Sequence, residues 1–338
     1  MAGTVLVSGG TGYIAGFLIQ QLIAEGWTVH ATIRSLAREQ ALRDTLQVDN
    51  DKLKVFAADL ENDAGWAEAM AGCSHVAHVA SPFPPSAPKH EDELIVPARE
   101  GALRALRAAK AAGVKRFVMT SSAAAIAYGH GRGTATFTEA TWTDVSSPDA
   151  YPYVKSKTIA ERAARDWVAA EGGEMEFVSI NPALVLGPVL DVGGSISVEV
   201  VKKMLDGTFP GFPDLTYGIV DVRDVADIHV RALTAPDMAD ERFVASGRSM
   251  KMAEIGAVLR DRLGDQARKV PRRNLPDFLV KLSALWDPLV RQVVSELGKV
   301  RHMDASHALA KLGWKTRDEA QTIEDCARSL IDQKLVKI

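Results

Sequence analysis

The feature that most constrains this chain is a run of small residues, Val7-Ser8-Gly9-Gly10-Thr11-Gly12-Tyr13-Ile14-Ala15-Gly16. It follows a short β-branched run, Thr4–Ser8, and opens a stretch with helical apolar spacing, Tyr13–Glu25. Gly10, Gly12 and Ala15 fit G-x-G-x-x-A, while Gly9, Gly12 and Ala15 fit the related G-x-x-G-x-x-A. Small residues here permit a tight turn, close approach of backbone to a pyrophosphate, and close helix–strand packing. The helix then presents unpaired N–H groups and a partial positive charge to phosphates. In a strand–turn–helix context the pattern predicts a dinucleotide site.

The rest of the chain supplies a matching frame. Val29–Ile33, Leu53–Ala57, Val76–Val79, Phe117–Thr120 and Glu176–Asn181 are short and nearly all apolar, so they read as strands buried on both faces. Helical patterns lie between them, over Leu94–Ala112 and roughly Pro152–Ala170. This alternation predicts an α/β fold, a Rossmann-type doubly wound parallel sheet. After about residue 185 the texture changes, with breaks at Gly187–Pro188, Gly193–Gly194 and Phe209–Pro213. A strand around Gly218–Val222 is expected to return to the main sheet, and residues 248–338 read as mostly helical. The expected organisation is a nucleotide-binding domain over 1–186 plus about 218–247. Residues 187–217 and 248–338 would form a smaller substrate-binding lobe. The proline-rich Ser81–Pro88 reads as a loop over a site.

Cofactor choice is written at the end of the second strand. NAD-binding chains place an acidic residue there for the ribose 2′-hydroxyl. This chain has Ile33-Arg34-Ser35, with Arg38 following. A guanidinium grips a 2′-phosphate through paired, charge-assisted bonds, so Arg34 points to NADP(H); its other reading is a solvent-facing side chain. Asp59, after the third strand, is placed either to accept a bond from an adenine amine or to cap a helix.

A second pattern carries chemistry. Tyr153 and Lys157 stand four apart in a helical stretch and so share a face, as do Tyr151 and Lys155; spacing alone does not choose between the pairs. Reducing a carbonyl requires a proton for the developing alkoxide, which a phenol of pKa about 10 can give, more readily beside an ammonium. Ser121 and Ser122 follow a strand at the carboxyl end, where either hydroxyl could hold the substrate oxygen. Serines there are also ordinary turn chemistry.

Taken together, VSGGTGYIAG (7–16), HATIRS (30–35), HVASP (78–82), KRFVMTSSAA (115–124), YVKSKTIAE (153–161), NPALVLGP (181–188) and VDVRDVADIHV (220–230) resemble one family. This is the extended short-chain dehydrogenase/reductase family, within it the dihydroflavonol reductase, cinnamoyl-CoA reductase and aldehyde reductase group. The resemblance implies that Ser122, Tyr153 and Lys157 are catalytic, selecting Tyr153 over Tyr151. It implies that Gly9, Gly12, Tyr13 and Ile14 meet the cofactor, and that Arg34 holds its 2′-phosphate. Asp59 and Leu60 would flank the adenine, and Ala80 and Ser81 would pass close to the cofactor. Pro182, Ala183 and Val185 would line the nicotinamide pocket, with Lys157 on the nicotinamide ribose. Two positions depart from the pattern. Glu100 stands where many members have an Asn, so no relay through that Asn carries over. Ala127 stands where plant flavonoid reductases have an Asn, so a flavonoid substrate does not carry over either.

The leading expectation is reversible reduction of an aldehyde or ketone. A sugar-nucleotide epimerase or dehydratase with tightly held NAD shares the frame, but Arg34 replaces its acidic residue. A non-catalytic NADP sensor would have no use for the Ser-Tyr-Lys set. Net charge −3 argues against nucleic-acid and strongly basic membrane partners, and Arg268-Lys269-Val270-Pro271-Arg272-Arg273 reads as a solvated connecting segment. Cys73 and Cys326 lie far apart, no metal spacing is visible, and no run of ~18 apolar residues occurs. A cytoplasmic monomer or homodimer acting on a small carbonyl or alcohol is expected. Tyr128, Trp142, Phe209, Phe212 and Tyr217 are candidate substrate contacts, each also readable as core packing.

Overall fold

The computed structural model describes residues 3–82, 88–131, 133–190 and 195–338. Its strands are β1 (Thr4–Ser8), β2 (Thr28–Ile33), β3 (Leu53–Ala57), β4 (His75–His78), β5 (Arg116–Thr120), β6 (Thr134–Phe137), β7 (Glu176–Pro182), β8 (Leu184–Leu186), β9 (Thr216–Asp221), β10 (Glu241–Ala245), β11 (Ser249–Lys251) and β12 (Val300–Met303). The helices are α1 (Tyr13–Ala24), α2 (Glu39–Leu46), α3 (Trp66–Met70), α4 (Asp92–Ala111), α5 (Pro152–Glu171), α6 (Ile196–Leu205), α7 (Val222–Thr234), α8 (Met252–Leu263), α9 (Asp277–Ser283), α10 (Pro288–Val294), α11 (Ser306–Leu312) and α12 (Glu319–Asp332).

Seven strands form the main sheet in the order β3-β2-β1-β4-β5-β7-β10, every neighbouring pair parallel. Parallel strands need cover on both faces, and the side-chain period of two divides them accordingly. Val5 and Val7 of β1 join Val118 and Val178 in one layer, against Leu18 and Ile19 of α1 and Val225 and Ile228 of α7. Leu6, one residue out of phase, joins Phe117 and Phe177 on the opposite face. There the alanines of α4 and α5, among them Ala102, Ala105, Ala160 and Ala164, let two long helices lie close to the sheet.

The chain leaves β1 toward β2 and β3 on one side, and builds β4, β5, β7 and β10 on the other. That reversal opens a crevice beyond the carboxyl ends of β1 and β4. The glycine loop, the residues after β4, Ser121 and Ser122 after β5, and Asn181 and Pro182 at the end of β7 all come to strand ends on this edge.

One expected strand goes elsewhere. β9, expected to return to the main sheet, pairs in parallel with β8 and antiparallel with β11 instead. The main-sheet position next to β7 is taken by β10, whose register runs from Glu241↔Val178 to Ala245↔Pro182. A second core packs over the small sheet, with Phe212, Met250, Leu259 and Ile323 among its buried members. From the final stretch, Ala308, Leu312 and Trp314 pack into the main-sheet core. Residues 83–87 of the expected Ser81–Pro88 loop, and Gly193–Gly194, lie outside the described residues.

Candidate active site

At the end of β1 the backbone turns through Gly9 at φ 70°, in the left-handed region. A Cβ here would stand 3.1 Å from both Cα and Cβ of Ala80, so glycine lets the ends of β1 and β4 approach. The loop is held by its own amides. Gly10 N donates to Thr32 O at 2.8 Å, Gly9 N to Thr32 Oγ1 at 3.2 Å, and Gly12 N to Gly9 O at 2.8 Å. Ser8 Oγ accepts from Ala80 N at 3.0 Å and lies 3.0 Å from His78 Nδ1, tying the two strand ends together. Gly12 caps α1 with no side-chain bond, and the first turn holds no acidic residue. Its amides and dipole are therefore left to an anion. A glycine cradle under an uncapped helix N-terminus fits the pyrophosphate of a dinucleotide.

The other expected cofactor residues fall around this cradle. Arg34 is exposed just past β2, and Arg38 lines the groove together with Gly10, Thr11 and Gly12. Asp59 Oδ1 accepts Glu61 N at 3.0 Å, closing a local turn, so the helix-cap alternative is not what forms. Leu60 packs against Gly101, where a Cβ would lie 2.8 Å from the Leu60 Cβ. Glu100 is paired with Arg99 at 2.7 Å on a half-exposed face. Ala80 and Ser81 are half-buried after β4, Pro182 is buried at the end of β7, and Val185 is buried on β8. Ala183 N donates to Ala245 O at 3.0 Å. Tyr13 donates its hydroxyl to Gly187 O at 2.9 Å, and Ile14 packs against the main core.

The structure separates the alternatives at the second motif. Ser121 turns away: its hydroxyl donates to Glu161 Oε2 at 2.5 Å. Ser122 has an extended backbone, its Oγ accepts Ala124 N at 3.1 Å, and its hydroxyl stands close enough to the Tyr153 phenol to ease its ionisation. Tyr151 sits before α5 with its ring against Tyr128, while Lys155 reaches out to Glu91 at 2.7 Å. Tyr153 and Lys157 lie one turn apart on α5, and Lys157 is only 8% exposed. Burial pushes the Tyr153 phenol up, and the nearby Ser122 hydroxyl pulls it partly back. Burial likewise pushes the Lys157 ammonium down to about 8, against a restoring pull from Glu161. His78, fully enclosed and within reach of the Lys157 charge, is pushed down to about 3 and is neutral.

Two clusters were not foreseen. Glu161, completely buried, accepts from Ser121, Ser179 (2.8 Å), Asn181 Nδ2 (2.8 Å) and Arg242 Nε (2.7 Å). Burial raises its carboxyl, but Arg242, Arg165 and Ser121 outweigh it and hold the group below the usual carboxylate range. Asn181 also donates to Ser122 O at 3.1 Å, so this network fixes the backbone of Ser122. Glu161 stood within the 153–161 motif, but Arg242 lies on β10, which carried no sequence signal of its own.

The second cluster surrounds Tyr153 with phenols. Tyr151 stacks on Tyr153 with centroids 6.5 Å apart, and Tyr128 meets Tyr151 edge-on at 5.9 Å. Arg301 covers the Tyr128 ring at 4.1 Å, donates to Ala127 O at 2.7 Å and pairs with Glu296. Tyr217 is pushed up by burial, and then by Tyr128 and Glu296. Of the five aromatic candidates, Tyr128 and Tyr217 belong to this wall. Trp142 packs under Arg242 at 3.7 Å, Phe212 is 2% exposed against Gly256, and Phe209 joins the second core.

A nucleotide cradle that opens beside a half-buried serine–tyrosine pair, with a buried ammonium one turn on, is suited to moving a hydride and a proton. The molecule is thus an oxidoreductase of the dinucleotide-dependent class. By its sequence it belongs to the NAD dependent epimerase/dehydratase family, whose model matches residues 5–245. It is 35% identical over 255 residues to cinnamoyl-CoA reductase CAD2 of Medicago truncatula, covering 73% of this chain and 75% of that one. With dihydroflavonol 4-reductase of Hordeum vulgare it shares 31% over 269 residues, covering 77% and 75%. Its fold matches that of yeast methylglyoxal/isovaleraldehyde reductase Gre2 complexed with NADPH, at TM-score 0.82 and 24% identity over 98% of this chain and 99% of that one. Among the described residues no helix is long and apolar enough to cross a membrane.

Proposed function

We propose that this protein reduces an aldehyde or ketone to an alcohol with NADPH, reversibly, through Ser122, Tyr153 and Lys157. The observation that carries the proposal is the half-buried Ser122 hydroxyl set against the Tyr153 phenol at the strand-end crevice, with Lys157, its ammonium held down to about 8 by burial, on the next turn. NADPH, when bound, supplies the hydride. Ser122 and Tyr153 hold the carbonyl oxygen, and the Tyr153 hydroxyl gives its proton to the alkoxide that develops there. Lys157 stabilises the phenolate left behind until solvent reprotonates it.

Gly9, Gly12, Tyr13 and Ile14 would hold the pyrophosphate with the end of α1, and Arg34 the 2′-phosphate. Asp59 and Leu60 would flank the adenine, with Ala80 and Ser81 along the cofactor. Pro182, Ala183 and Val185 would take the nicotinamide, and Tyr153 and Lys157 its ribose. The reductases named among the relatives act on carbonyl compounds, which supports this reading. The phenol wall of Tyr128, Tyr151 and Tyr217 suits a substrate with an aromatic or branched apolar body.

The test is cofactor oxidation against aldehydes, ketones and dihydroflavonols, with NADPH and NADH in parallel. Turnover of a carbonyl with NADPH is expected. Conversion of a sugar nucleotide by protein that carries nonexchangeable NAD, without added cofactor, would replace this reading with an epimerase.

A further inference from the structure

The net charge of −3 averages over a chain whose charges are not evenly spread. Among the described residues, five of the nine exposed large hydrophobic side chains fall between 278 and 286. They are Phe278, Leu279, Leu282, Leu285 and Trp286, with Trp286 at 74% and Phe278 at 66% exposure. Helical hydrogen bonding continues past α9, through Ala284 N to Val280 O and Asp287 N to Ser283 O. The five side chains therefore stand at i, i+1, i+4, i+7 and i+8 and share one face. The opposite face, Val280 and Ala284, is the buried one. This element packs on the protein through its small residues and turns its large apolar ones outward, the reverse of an ordinary surface helix.

The sequence around that face is basic, and Lys281 and Arg291 stand beside the stripe itself. Residues 268–291 contain Arg268, Lys269, Arg272, Arg273, Lys281 and Arg291 against only Asp277 and Asp287. All six cations are exposed. Lys281 flanks the stripe on α9 itself. Arg291 donates to Ala284 O at 3.1 Å and Leu285 O at 3.3 Å, which places its guanidinium at the carboxyl end of the stripe. The basic run expected to be only a solvated connection leads directly into this surface.

We propose that α9 and its continuation dock on the surface of an anionic lipid bilayer. Tryptophan, phenylalanine and leucine on one face, bordered by lysine and arginine, are what insertion at a charged lipid interface requires. A two-fold contact with a second copy would instead bring six cations against six, which disfavours self-association. The attachment is peripheral and reversible. No residue of the cofactor cradle or of the Ser122–Tyr153–Lys157 set lies within 277–287, so the docked enzyme keeps its chemistry.

The experiment is flotation of the full chain with phosphatidylglycerol/phosphatidylcholine vesicles and with phosphatidylcholine vesicles alone, at low and high salt. The wild type is expected to float with the anionic vesicles and to release as salt screens the attraction. The variant Phe278→Ser/Leu285→Ser/Trp286→Ser should bind at least about tenfold more weakly, while retaining NADPH binding as its folding control. Arg272→Gln/Arg273→Gln/Lys281→Gln, which leaves every apolar contact in place, should also weaken binding. Absence of wild-type binding to anionic vesicles at low salt would overturn the proposal, as would equal binding to neutral vesicles. So would a concentration-dependent dimer that the triple serine variant abolishes, since that assigns the face to a second copy.

Discussion

The glycine loop between β1 and α1 and the phenol wall around Tyr153 serve one site but are made differently. The loop is mostly backbone: Gly10 N to Thr32 O and Gly12 N to Gly9 O hold it, with only the short Thr32 and Ser8 hydroxyls added, and its shape depends on what a Cβ would hit. The wall is side chain: Tyr128, Tyr151, Tyr217, Glu296 and Arg301 come from segments up to 173 positions apart in sequence, held by ring contacts and ion pairs. A backbone site can bind the part of a ligand that never changes. A side-chain wall can be rebuilt one residue at a time for a new substrate. Changes on the loop side should therefore affect cofactor binding alone, and changes on the wall should affect only the carbonyl.

The largest effect belongs to the residue where the two sides meet. Tyr153→Phe should lower kcat by roughly 10²–10⁴-fold while leaving NADPH binding in place, measured by turnover and by cofactor fluorescence. On the cofactor side, Arg34→Ala removes the proposed charge-assisted contact with the 2′-phosphate, of about 1.5–3 kcal/mol, so KM for NADPH should rise by roughly 10- to 100-fold with NADH little changed. If NADPH and NADH weaken equally, Arg34 does not read the 2′-phosphate, and Arg38 in the groove becomes the residue to change.

Beneath the wall, Glu161→Gln leaves Arg242 buried without its counter-charge, and loss of about 3–5 kcal/mol of stability is expected in a denaturant titration. A smaller loss would mean that the serine and asparagine bonds, rather than charge, carry that network. On the wall itself, Glu296→Gln should change KM for the carbonyl several-fold with KM for NADPH unchanged. Movement of both constants would erase the distinction between the two sides.

The mildest test is pH. Burial holds the Lys157 ammonium near 8, below its ordinary value. Between there and roughly 10.4 the unfolded chain keeps a proton the folded chain has released, and this stabilising difference in proton affinity is absent at lower pH, where burial of the charge is a cost. The group's contribution to stability therefore improves as pH rises through that window. Turnover should move the other way and decline above about 8, because the proposed role needs the ammonium. A kcat that stays level across the window would detach Lys157's charge from the chemistry.

The same division governs what could be read in advance. The glycine loop and the buried parallel strands were legible because backbone demands leave local marks: Gly9 at positive φ, and apolar runs such as Phe117–Thr120. Tyr153 and Lys157 were legible as one turn of one helix, although Tyr151 and Lys155 had the same spacing until contacts separated them. β10 does not read as a strand because Glu241 and Arg242 put two charges into its five residues and break the apolar run that marks the other buried strands, so β9 takes its place in the sheet as read from sequence. Glu296 and Arg301 carried no signal because their meaning depends on Tyr128, far away in sequence. The outward face of α9 was equally hidden, as an amphipathic pattern does not say which side meets the protein.

The central claim is that this cradle and this Ser–Tyr–Lys set together reduce a carbonyl. The most direct test follows NADPH absorbance with a panel of aldehydes and ketones, in protein first shown to bind NADPH, beside Tyr153→Phe. Turnover by the wild type, falling at least about a hundredfold in the variant, is the predicted result. NADPH binding with no turnover across the panel, or a Tyr153→Phe rate within about tenfold of wild type, would contradict it.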